Sequence, residues 1–227
     1  MTRFHFSLIL LGLLAATPSV RGQEILTAVD FFSLVADRYA AIEDYTANVR
    51  IVNRGVTSSG TLFFGRPNRV RIDFTQPEEQ VIVSDGEVLQ AYIPRFNVVL
   101  MQQLRRSGGN AVGALATPEG LQLLRRSYGI AYLQSPEPVP LDDEDPEPVT
   151  KLELTWNSTR EGYRRLVLSI DESLLIRRIE GVSVTFQEVQ FDFADVRLNQ
   201  GLPDARFEYE APSSANIFND FLFDGEG

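Results

Sequence analysis

Apolar residues in this chain follow two periods, and the switch between them predicts the fold. From Thr27 to about Asp44, Phe31, Leu34, Val35 and Ile42 recur at helical spacing, with Thr27 placed to cap the first turn and Asp30 three residues on. From Tyr45 the period becomes two, which predicts strands over 48–54, 61–66, 69–75, 80–84, 87–93 and 98–104. Gly, Pro, Asn or Asp punctuate the connections, and Ser84-Asp85-Gly86-Glu87 has the composition of a two-residue hairpin. Alternation in Arg69-Val70-Arg71-Ile72-Asp73-Phe74 gives Val70, Ile72 and Phe74 one face and leaves the charges on the other.

The alternation stops after residue 104. A glycine-rich stretch, Ser107-Gly108-Gly109-Asn110, precedes a short helix with Thr117 as N-cap, Pro118 in its first turn, Gly129 past its end, and Leu121, Leu124 and Tyr128 on one face. Two readings of that helix stand side by side: a lid hung on glycine-containing segments, or a crossover that covers one end of the core. An acidic, proline-rich run over 136–148 reads as an exposed, solvated excursion within the domain. Strands resume over 151–156, 163–170, 175–181 and 182–198. In the last, the apolar parity changes near Gln187 and Glu188, which predicts a bulge. Residues 205–209 read as a closing strand, and Ile217, Phe218, Phe221, Leu222 and Phe223 form an apolar terminus. Many strands with few helices predict a mainly β, α+β domain.

The first residues change the compartment. Arg3 followed by an apolar run from Phe4 to Ala16 and a small-residue exit reads as a signal peptide over 1–22, leaving one domain over 23–227. The run is too short to stay in a bilayer as a spanning helix, and with no cysteine the chain has neither a lipid anchor of its own nor a disulfide framework.

Charge and candidate chemistry then exclude more than they suggest. The chain carries 31 acidic against 21 basic residues, and the leader would remove Arg3 and Arg21, so a basic nucleic-acid surface is not expected. The only histidine, His5, lies in the leader, so the mature chain has no Ser-His-Asp triad, no Cys-His pair and no zinc site of the usual ligands. No enzyme activity, cofactor or metal is expected. The acidic run lacks the turn glycine and ligand spacing of a calcium loop. Asn157-Ser158-Thr159 matches a glycosylation sequon but sits where a hairpin must turn.

Several short motifs in series carry a resemblance. Gly60-Thr61-Leu62, Arg66-Pro67-Asn68, Thr75-Gln76-Pro77 and Val83-Ser84-Asp85-Gly86, behind a leading helix and ahead of Phe207-x-Tyr209-x-x-Pro212, resemble the periplasmic outer-membrane lipoprotein carrier family, LolA. The resemblance implies an incomplete antiparallel β-barrel around a hydrophobic cavity, with helices as a lid. It implies periplasmic location and cargo of acylated lipoproteins, received from an inner-membrane ABC transporter (LolCDE-like) and passed to an outer-membrane receptor (LolB-like) by a monomeric carrier. Arg66 then corresponds to the arginine that holds the unliganded lid shut. Taken with strand alternation, it gives Leu62, Phe64, Val70, Ile72, Phe74, Val83, Leu89 and Ala91 as the acyl-cavity lining and Leu121 and Leu124 as its lid. A carrier of another lipid or glycolipid, or a lipid-sensing interaction module on the same half-barrel such as an envelope-stress sensor, would share these features.

Overall fold

A computed structural model of the chain describes residues 26–104, 117–157 and 162–219. The leader, the glycine-rich stretch and the apolar terminus past Asn219 lie outside them, as does the sequon beyond Asn157.

Helix α1 (Ala28–Ala40) starts where expected, the Thr27 hydroxyl accepting from the Asp30 N–H at 3.2 Å. Its buried stripe is Ala28, Phe32, Val35 and Tyr39, continued by Ile42, so Phe32 replaces the expected Leu34, which is exposed. A meander follows: β1 (Asp44–Asn53), β2 (Val56–Gly65), β3 (Arg69–Gln76), β4 (Glu78–Ser84), β5 (Val88–Ile93) and β6 (Val98–Gln103). After α2 (Pro118–Ser127) come β7 (Tyr128–Tyr132), the two-residue β8 (Val139–Pro140), β9 (Pro148–Trp156), β10 (Tyr163–Ile170), β11 (Ile176–Ser183) and β12 (Glu188–Leu198). The short β13 (Asn216–Asn219) comes last among the described residues.

These strands form one open sheet in the order β13-β6-β5-β4-β3-β2-β1-β12-β11-β10-β9-β7, with β8 beside β9. Every pairing along it is antiparallel except β13 on β6. The fold is thus mostly β with two helices, and the sheet is not closed into a barrel. Register defines its two faces. Tyr45, Ala47 and Val49 of β1 stand opposite Phe64, Leu62 and Gly60 of β2, and Leu152 and Leu154 of β9 opposite Leu168 and Leu166 of β10. This face carries the main core, and α1 and α2 contribute Phe32, Val35, Leu121 and Leu124 to it. Gly60 is required by closeness: a Cβ there would lie 2.4 Å from the Asp73 carbonyl oxygen on β3.

On the opposite, convex face β3 presents Arg69, Arg71 and Asp73, and a strap crosses them. Residues 204–209 cross it as a 3-10 turn (Asp204–Phe207) and an extended run, not as the expected strand. Arg71 Nη1 donates to the Arg206 and Glu208 carbonyls at 3.1 and 3.0 Å, while Arg69 pairs with Asp204 and lies over the Phe207 ring. That ring would clash at 2.8 Å with a Cβ on Gly65. The approach to the strap is fixed by Asp44, whose buried carboxylate accepts the Gln200, Gly201 and Leu202 N–H groups at 2.6, 2.9 and 3.2 Å.

Two further expectations change. The parity switch near Gln187 is a turn that separates β11 from β12, closed by Phe186 N–H to the Ser183 carbonyl at 3.0 Å with Phe186 at φ 61°. A bulge and a tight turn both reset parity, so alternation alone could not separate them. The acidic run is clamped rather than free: Asp142 pairs with Arg178 at 2.8 Å, Glu147 with Arg177 at 2.6 Å, and Leu141 is buried. Three contacts hold the Asp142 carboxyl below the usual range: first the Asp145 N–H, then the Arg178 guanidinium and the Glu144 N–H.

Candidate functional site

The concave face continues past the packed core onto β3–β6, and there its cover thins. Leu62 pairs with Ile72 and Phe64 with Val70; Ile72 pairs with Ile82, and Ile82 with Ala91. Ala91 pairs with Leu100, and Ile93 with Val98. Paired residues share a face, so Leu62, Phe64, Val70, Ile72, Phe74, Ile82, Leu89, Ala91, Ile93 and Leu100 form one apolar surface. Burial divides it. Leu62, Phe64, Ile72 and Phe74 are buried, whereas Val70, Ile82, Leu89, Ala91, Ile93 and Leu100 are half-buried. A half-covered apolar patch continuous with a core is a surface on which an alkyl chain can lie without polar groups to desolvate.

Helix α2 covers the neighbouring part of the core. The Thr117 hydroxyl accepts from the Gly120 N–H at 3.1 Å, and Leu121 and Leu124 are buried while Leu123 is exposed. Gly129 follows the helix as expected, one residue past the Tyr128 C-cap, but it does not adopt a left-handed backbone. Tyr128 takes extended backbone angles and begins β7 directly, with its hydroxyl donating to the Tyr163 carbonyl at 2.7 Å, and Gly129 lies within that strand. At its C-terminus, then, α2 runs directly into the edge strand β7.

Nine of the ten residues expected to line or cover a cavity are brought to the concave side. Val83 is the correction. It pairs with Arg71, which places it on the convex face, where it is buried. Apolar residues occupy both parities of Val81-Ile82-Val83, so the sequence alone leaves the strand's face open; Ile82 takes the place expected for Val83, and Ile93 and Leu100 join the surface beyond the expected set. Pairing with Ile72 was the deciding information. Arg66 is also elsewhere: its guanidinium pairs at 2.7 Å with Glu43, at the corner between α1 and β1, and both groups are exposed. The β2–β3 turn does touch α2, but through Asn68. With its amide nitrogen turned toward the helix, Asn68 donates to Glu119 Oε2 at 2.6 Å.

Between Tyr39, Ile42, Tyr45, Leu175, Phe193 and Leu198 lies a void of about 10 Å³, room for no more than a water molecule. Tyr39 and Tyr45 beside it are buried, and burial raises both phenol pKa values; the Tyr39 hydroxyl accepts the Ile176 N–H at 3.1 Å. A larger hollow of about 490 Å³, lined by residues including Arg54, Arg165, Glu180, Phe186 and Glu188, lies at the hairpin tips. Among the described residues, no cluster of three His, Cys, Asp or Glu side chains is placed to hold a metal ion. No helix there is long and apolar enough to cross a membrane.

Residues 50–210 match the family described as "Outer membrane lipoprotein carrier protein LolA". An outer-membrane lipoprotein carrier protein of Methylibium petroleiphilum is 30% identical over 164 residues, covering 71% of this chain and 72% of its own. One of Bordetella avium is 25% identical over 225 residues, covering 96% and 99%. Among solved structures, an uncharacterized conserved protein of Thermus thermophilus matches with a TM-score of 0.54 at 12% identity, over 82% of this chain and 98% of that one. The MucA/MucB complex of Pseudomonas aeruginosa matches with a TM-score of 0.51 at 12% identity, over 84% and 63%. Both likenesses concern the fold.

Proposed function

Given that the chain belongs to the LolA family of outer membrane lipoprotein carrier proteins, we propose that it binds the acyl chains of lipoproteins and ferries them through the periplasm. It receives them from an inner-membrane ABC transporter and releases them to an outer-membrane acceptor. The observation that carries this reading is the half-buried apolar patch of Val70, Ile82, Leu89, Ala91, Ile93 and Leu100, which joins the core through Val70 and Ile82. Each methylene removed from water contributes about 0.8 kcal/mol, so a cargo's tails need shelter during an aqueous crossing. Binding and release are the whole task, and no bond needs to be made or broken.

The core under α2 is filled by Leu121 and Leu124, so cargo that enters there makes its own room. In this reading α2 lifts, and the acyl chain takes the place of Leu121 and Leu124 against the sheet. Native mass spectrometry of protein purified from the periplasm tests the cargo. Adducts of acylated lipoprotein mass support the proposal; glycolipid or phospholipid adducts would assign the same surface to a different carrier.

A further inference from the structure

The sheet's β6 edge is occupied by a part of the chain that is weakly held. Strand β13 pairs in parallel with β6, Asn216 opposite Val98 and Asn219 opposite Met101, and is the only parallel partner in the described sheet. All four of its residues are exposed, Ile217 at 59% and Phe218 at 54%, so the strand buries little side-chain surface. Among the described residues, it is held by main-chain pairing and an entry clamp in which Asn97 Nδ2 donates to the Ser214 carbonyl at 2.7 Å and Asn216 N–H to the Asn97 carbonyl at 2.9 Å. The strap before it is fixed by Arg71 and Arg69 on the convex face. A firmly anchored strap that leads into four exposed residues has the build of a replaceable occupant: an edge strand that buries little side-chain surface opens at low cost, and the edge it leaves offers a row of unpaired N–H and C=O groups.

The same edge borders the acyl surface. Leu100 of β6 belongs to the half-buried concave patch, paired with Ala91. A lipoprotein's polypeptide begins at the residue that bears its acyl chains, so tails seated on β4–β6 bring the first residues of the cargo chain to that edge. We propose that the β6 edge is a strand-addition site for the extended polypeptide that follows the acylated end of the cargo, with β13 as its resting occupant. Recognition through main-chain hydrogen bonds is indifferent to side-chain sequence, which suits a carrier whose cargoes share a lipid and little else. This inference rests on the lipoprotein-carrier reading above and goes further, since a fatty acid alone would not use the edge.

The chain has no cysteine, so one introduced pair is unambiguous. Met101→Cys with Asn219→Cys joins two facing positions on neighbouring strands, about 4.8 Å apart and within disulfide reach. Met101 shares the convex face with Gln90 and Val83, away from the acyl patch. The probes are palmitic acid and a twelve-residue peptide carrying a dipalmitoylated N-terminal cysteine, each titrated against the oxidised and reduced double variant. The expected result is a loss of tenfold or more in affinity for the acylated peptide on oxidation, unchanged affinity for palmitic acid, and recovery on reduction. Equal peptide affinity in both redox states, with palmitic acid still bound, would overturn the edge proposal and leave the carrier reading standing. An equal loss for both probes would also overturn it, because β13 would then cover the acyl surface itself. If the reduced protein binds neither probe, the carrier reading fails and the edge proposal with it.

Discussion

Ile72 and Ala91 occupy the same row of the concave face, linked through Ile82, yet a charge should act differently at each. Ile72 is buried in the core, so Ile72→Glu should cost about 3 kcal/mol or more in stability through an unpaired buried charge. Ala91 is half-buried, and Ala91→Glu should leave stability within about 1 kcal/mol while abolishing uptake of a palmitoylated probe. Denaturant titration and probe binding, measured on both variants, separate a core position from a binding position; normal uptake by Ala91→Glu would remove the patch from the proposed site. Tyr39 offers a second residue-level check. Burial raises its phenol pKa in the folded state above the ordinary 10.0, so its contribution is complete below that pH and declines as the unfolded phenol ionises above it. Tyr39→Phe should therefore flatten the loss of stability above pH 10, at a cost of about 1 kcal/mol at neutral pH for the lost hydrogen bond from Ile176. A denaturation series from pH 8 to 11 reads both effects.

Elements raise the question of what holds α2 down. Asn68 reaches Glu119 in the first turn of the helix, whereas Arg66 pairs with Glu43 beyond the end of α1. Removing Asn68 with Asn68→Ala should speed cargo release in a transfer assay several-fold, the equivalent of about 1 kcal/mol of closed-state contact, and Arg66→Leu should change it little. The opposite ranking would return the latch to Arg66, as the family resemblance implied. The helices and most strands were legible because caps and alternation are local: Thr27, Thr117 and the Val70-Ile72-Phe74 series each act within a few residues. What the chain could not disclose is decided by distant partners. Val83 turns outward because its strand pairs with Arg71, the acidic run folds back because Arg177 and Arg178 lie opposite it, and residues 204–209 form a strap because Arg71 meets their carbonyls. Phe186 adopts a left-handed backbone that a phenylalanine seldom takes, so its residue type gives no sign of the turn.

For the whole molecule, the balance between a filled interior and a bound lipid sets how loading must proceed. In the proposed cycle, lifting α2 would uncover Leu121 and Leu124, each worth about 1.5–3 kcal/mol of burial, so the open form would be a small minority in the absence of cargo. A sixteen-carbon chain laid on the sheet contributes on the order of 10 kcal/mol, enough to offset that cost and leave a few kcal/mol of net affinity from one chain. The chain carries a reporter for this exchange. Its single tryptophan, Trp156, pairs with Tyr128 at the junction of α2 and β7 and packs half-buried against the core. Saturating palmitic acid should shift or quench Trp156 emission, and hydrogen exchange should quicken in α2 while β9–β12 stay protected. Binding with no change in either signal would mean that the alkyl chain reaches the β3–β6 patch with α2 still seated, and the site would then be a groove beside the helix, not a chamber beneath it.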